Sequence, residues 1–155
     1  MRSSELYCLI ETPKGSFVAQ RAPVDRWLPS PVDCCYFPDT LDGAGRPLEA
    51  LVCATGPGAP GSRVSVKPIG LMRVHARGAF GDAVVCVAAE DPVWEAVEDP
   101  QGLPVELRAE MERFVTARHN QGDAAATVSW CDREHALATI DAAAARWAGT
   151  VNGHG

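Results

Sequence analysis

Pro38-Asp-Thr-Leu-Asp-Gly-Ala-Gly-Arg-Pro-Leu-Glu-Ala-Leu-Val52 is where an irregular stretch turns into a buried strand. Upstream, residues 22–47 are rich in Pro, Gly and Asp and lack sustained periodicity. So long an irregular stretch inside a compact domain usually lines a site. Downstream, Ala50 to Ala54 reads as a short buried strand and Thr55 to Ser62 as a Gly/Pro loop. Arg63 to Val74 reads as a long strand whose Pro68 and Gly70 predict an edge, bulge or barrel corner. Ala83 to Ala88 and Ala126 to Trp130 are further strands, and Glu5 to Glu11 is an opening one, turned at Pro13-Lys14-Gly15-Ser16.

Two helices are expected near the end. Pro104 opens the first, with Leu107, Met111, Phe114 and Val115 as one apolar stripe. Asp132 caps the second, where Leu137, Ile140, Ala144 and Trp147 face one way. Short strands followed by two helices imply a small closed or nearly closed β-barrel packed by helices, an α+β architecture. The 155 residues fit a single domain, 1–155, with a frayed tail from about 150.

Composition narrows the function classes. Apolar residues at 46% and charged residues at 22% are an ordinary globular balance. A net charge of −6 argues against nucleic acid as partner, because phosphate binding needs a dense basic surface. No apolar run approaches a membrane span, and the opening residues do not read as a signal peptide. The six cysteines include no C-x-x-C pair, and Cys8, Cys53 and Cys86 sit in strand-like runs as small hydrophobes. A cytoplasmic protein with free thiols is expected.

The 38–52 stretch resembles the signature of the soluble inorganic pyrophosphatases, P-E-T-L-x-x-D-G-D-P-L-D-A-L-V. Five other segments follow in order. Ile10-Glu11-Thr12-Pro13-Lys14-Gly15-Ser16 is similar to I-E-I-P-K-G-S, and Val66-Lys67-Pro68-Ile69-Gly70-Leu71 to V-x-P-I-G-V-L. The strand and turn at Val85-Cys86-Val87 and Glu90-Asp91-Pro92, the helix holding Phe114, and Trp130-Cys131-Asp132-Arg133-Glu134 complete the series. The resemblance runs from about Leu9 to Trp147. It implies an OB-like five-stranded barrel with two C-terminal helices, often a hexamer in bacteria. It also implies a reaction in which hydroxide on Mg²⁺ attacks magnesium pyrophosphate.

The residues implied for that chemistry are largely replaced. Ala44, Arg46 and Glu49 stand at the three metal-binding aspartates of the signature. Arg46 sets a fixed positive charge where a cation belongs, and Glu49 carries its oxygens more than about 1 Å further out. Without a gap, two later metal aspartates fall on Ala76 and Gly81 and a phosphate-binding lysine on Ala83; with a one-residue gap, Asp82 replaces the second aspartate. A Tyr-Lys pair falls on Arg118 and His119, and two site tyrosines on Ser30 and Cys34. Glu11 matches by type, as does Arg26 across a four-residue gap.

Glu49, Glu11, His119 and His75 are the candidate acid–base groups. For Glu49 the plainer reading is a salt bridge to Arg46, and for Glu11 a structural hydrogen bond. Arg46, Arg118, Arg26, Trp27, Cys34 and Tyr36 are the candidate substrate contacts, and no residue is assigned to a metal. Trp27, Phe37 and Phe80 lie on segments that surround the same place; aromatics there suit an organic ligand, and Trp27 and Phe37 fit equally as ordinary core.

The expectation is therefore a barrel repurposed for metal-free acid–base chemistry on a small organic molecule: cyclisation, isomerisation, dehydration or decarboxylation, in bacterial specialised metabolism. No cofactor and a possible hexamer or smaller homo-oligomer go with it. A residual Mg²⁺-dependent pyrophosphatase is the second reading, and a non-catalytic pseudoenzyme subunit the third.

Overall fold

Every strand of the barrel wall is sealed by apolar side chains on at least one face, and the two faces have different covers. The computed structural model describes residues 6–19, 27–76, 79–119 and 127–152, without the side chains of 17–19, 27, 28, 76, 79, 80, 118, 119 and 152. The strands are β1 (Tyr7–Thr12), β2 (Phe17–Ala19), β3 (Trp27–Pro29), β4 (Asp33–Phe37), β5 (Leu48–Cys53), β6 (Arg63–Ala76), β7 (Ala79–Ala88) and β8 (Thr127–Cys131). The helices are α1 (Val105–His119) and α2 (Arg133–Asn152). Hydrogen-bonded order runs β1-β4-β5-β7-β6, and the first residues of β6 return to β1 and close the ring. Only β5 and β7 of this ring run parallel. β8 extends the far end of β6, and β2 pairs β3 as a separate ribbon. The architecture is a five-stranded OB-like barrel with two helices, as the resemblance implied.

Strand alternation sorts the wall into its two faces. Leu48, Ala50 and Val52 of β5 join Cys8, Ile10, Cys35, Phe37, Val66, Val84 and Cys86. All five ring strands contribute to this cluster, so it is the interior, and Ala136, Ile140 and Ala143 of α2 pack against it. Leu51 and Cys53, of the other parity, join Met72, Val74, Val85 and Val87 on the outer face. Met111, Phe114 and Val115 of α1 cover that face.

Several expectations hold, and others are corrected. β6 carries its bulge between Pro68 and Gly70. Asp132 caps α2 by accepting from the His135 amide at 3.0 Å. Residues 22–47 are not irregular throughout, since β3 and β4 lie within them. β4 hides from a period-2 search because Asp33, Cys34 and Cys35 are buried on both faces. In α2 the buried stripe is Ala136, Ile140 and Ala143, and Ala144 is exposed.

Gly70 is required by a close approach. A Cβ there would stand 2.5 Å from Pro100 Cγ and 2.9 Å from the Cys131 carbonyl oxygen. Neither neighbour is the end of a flexible side chain. Gly70→Ala is expected to destabilise the fold by about 2 kcal/mol, an overpacking cost, and to lower Tm by about 6 °C. A thermal melt within one or two degrees of the parent would show that β6 and the Pro100 turn separate freely.

Candidate active site

The 38–47 loop is built by short-range chemistry. Thr40 is buried; its hydroxyl donates to the Phe37 carbonyl at 2.6 Å and accepts from the Leu48 amide at 3.0 Å. Asp39 takes a left-handed conformation at φ 59°, which Asp tolerates better than most residues. One Asp42 carboxylate oxygen accepts from the amides of Ala44 at 2.8 Å and Arg46 at 2.9 Å. The Asp42 amide donates to the Arg46 carbonyl, and the Gly45 amide, at φ 84°, donates to the Asp42 carbonyl. Asp42 therefore organises the tip through one of its carboxylate oxygens. Sequence reading passed over it; its offset of two and four residues from the amides it binds is the signal that was there.

The loop delivers Glu49 to the wall. In register, Glu49 lies opposite Tyr36 of β4 and Ala83 of β7. Parity puts these three on the outer face with Cys34 and Leu51. Glu49 and Tyr36 are half-buried, and Arg46 is exposed at the loop tip. Cys34 and Ser30, where the resemblance places tyrosines, are both buried, their Sγ and Oγ 3.2 Å apart. Burial raises the thiols of Cys8 and Cys35 and pushes Cys53 up to about 12, so none of these three is a thiolate near neutrality.

Other candidates are placed elsewhere. Asp82 pairs with Arg73 at 3.0 Å, and the two sit on the face opposite Glu49 because Ala83 is Glu49's neighbour. The hydrogen bond from Arg73 also raises that guanidinium further above its usual range. The gapped correspondence for Asp82 is thereby corrected. His75 shares the parity of Arg73, so β6 turns it away from Glu49; it is exposed. Phe37 is interior core and not a wall of the Glu49 face. Glu11 is exposed at a bulge of β1, between Ile10 and Thr12. Arg118 and His119 end α1 and Trp27 begins β3, but their side chains, and all of Arg26, lie outside the described residues.

With that geometry in place, the comparisons bear on function. The family model described as Inorganic pyrophosphatase matches residues 9–148. A Methanosarcina acetivorans protein named inorganic pyrophosphatase is 30% identical over 151 residues, 90% of each chain. The Thermus thermophilus protein of that name is 30% identical over 159 residues, 93% of this chain and 91% of its own. Its crystal structure superposes with a TM-score of 0.77 over 92% of this chain and 91% of its own. A Helicobacter pylori inorganic pyrophosphatase, with a TM-score of 0.80 over 96% of each chain but 20% identity, adds support for the fold alone.

These relatives overturn the expectation of a barrel repurposed for organic acid–base chemistry, because proteins matching nine tenths of the chain are named for pyrophosphate. The expectation of no cofactor falls with it, since Mg²⁺ is what such relatives imply. The described side chains nevertheless do not fit the multi-ion cluster of the resemblance. Among the described residues, no three His, Cys, Asp or Glu side chains are grouped to hold an ion. Asp82 pairs with Arg73 through one oxygen, and one Asp42 oxygen is held by its own loop. No step of the reaction is therefore assigned to an ion.

Proposed function

We propose the reaction from one premise: this chain belongs to the inorganic pyrophosphatase family. The reaction is hydrolysis of inorganic pyrophosphate, in which water adds to one phosphorus, the bridging P–O bond breaks and two phosphates leave. The observation that carries it is the collinear match over 9–148, which includes the loop holding Arg46 and the strand that sets Glu49 on the outer face of the barrel.

In this proposal Glu49 is the acid–base residue of the outer face. Arg46 supplies a planar, permanently charged donor for phosphate oxygens, for which a guanidinium fork is well matched. Tyr36, the cross-strand neighbour of Glu49, supplies a hydroxyl. Glu11 and His119 remain acid–base candidates, and Arg118, Arg26 and Trp27 substrate contacts, proposed from the sequence. A cytoplasmic location belongs to the same proposal, supported by the reduced, buried Cys8, Cys53 and Cys86. Assembly as a homo-oligomer also belongs to it. No described helix is long and apolar enough to cross a membrane.

Phosphate release from pyrophosphate, followed across a Mg²⁺ titration with chelator controls, tests the reading. Release that rises with both enzyme and Mg²⁺ is expected. No release at any Mg²⁺ concentration would overturn it.

A further inference from the structure

The 38–47 loop is held to α2 at Leu41. The Leu41 amide donates to the Ala143 carbonyl of α2 at 3.0 Å, and Arg146 Nη1 donates to the Leu41 carbonyl at 3.1 Å. Among the described residues, Thr40 ties the loop to the ends of β4 and β5, and Asp42 closes the tip on itself. A groove of about 370 Å³ opens between Phe37–Thr40 and the Ile140, Asp141 and Ala144 surface of α2.

We infer that Arg146 is a positioning residue for the proposed site: it pins Leu41 to α2 and so sets where the loop tip presents Arg46. The inference rests on the functional reading above. Leu41 lies one residue before Asp42, which carries the Arg46 amide on its carboxylate. A shift at Leu41 therefore passes to Arg46 through one rigid turn. Glu49 is insulated, because the Leu48 amide is fixed separately by buried Thr40. The consequence is asymmetric, with substrate grip affected and the chemical step spared.

Arg146→Ala and Arg146→Lys test this by amide hydrogen exchange and by kinetics. In Arg146→Ala, exchange at Leu41 is expected to quicken about tenfold, while Leu51 and Val52 in β5 stay unchanged. KM for pyrophosphate is expected to rise about fivefold, with kcat within twofold and Tm unchanged. Lysine, which still donates one hydrogen bond, is expected to recover most of the KM. Unchanged exchange at Leu41 would overturn the inference, as would faster exchange with an unaltered KM. If the parent protein releases no phosphate, the functional reading fails by itself. The exchange measurement then still decides the clamp, faster exchange supporting it and unchanged exchange removing it.

Discussion

Glu49→Gln is expected to lower kcat for pyrophosphate hydrolysis by about 10²-fold, the usual worth of one positioned acid–base group, with the fold intact. Glu49 sits in a central strand of the ring, flanked in register by Tyr36 and Ala83. Its neighbours Leu48 and Ala50 are fully buried in the interior, so the backbone beneath it cannot move to compensate. Glutamine keeps the length, the shape and most of the hydrogen bonding of the side chain. It cannot carry the negative charge, and it cannot accept a proton near neutral pH. The loss should therefore appear in kcat more than in KM, and Tm should stay within about 2 °C of the parent. A variant that keeps more than a third of the parent rate would move the chemistry away from this face of the barrel.

How much of this was legible in the sequence depends on how local the cause is. Thr40, Gly45 and Pro47 act within a few residues of themselves, and the frame they hold was readable from residues 38–52. The bulge of β6 was readable because Pro68 and Gly70 carry it in their own backbone chemistry. β4 was missed because burial on both faces erases alternation. The α2 face was misread because its alanines fit either a core or a surface, and only packing into the interior cluster selects Ala136 and Ala143. His75 illustrates a different limit. It adjoins the right loop, but the register of β6 against β7 decides its face, and no residue near it encodes that register. Arg146 and Leu41 lie 105 residues apart, beyond any local pattern. The function was misread because three replaced signature positions were given more weight than the collinear match of the whole chain.

Asp33→Ala is expected to cost about 3 kcal/mol and about 9 °C in Tm, with Asp33→Asn costing about 1 kcal/mol. Asp33 begins β4 and is only 3% exposed. Its parity is that of Cys35 and Phe37, so it points into the end of the barrel. There its carboxylate accepts from the Lys14 amide at 2.7 Å and from the Gly58 amide at 3.3 Å to each oxygen. One side chain thus joins the turn after β1 to the loop after β5, two segments that no strand pairing connects. Gly58 fits against it because a Cβ there would fall 2.1 Å from Ile10 Cδ1. Alanine leaves two backbone donors facing the space that the carboxylate filled, and reaching water means loosening one segment or the other. Asparagine retains one acceptor oxygen, so it should keep the Lys14 bond and lose part of the Gly58 contact. Urea melts of the two variants separate the causes. Equal costs for Asn and Ala would mean that the negative charge is what matters. An Ala cost below about 0.5 kcal/mol would mean that the two loops hold themselves without Asp33.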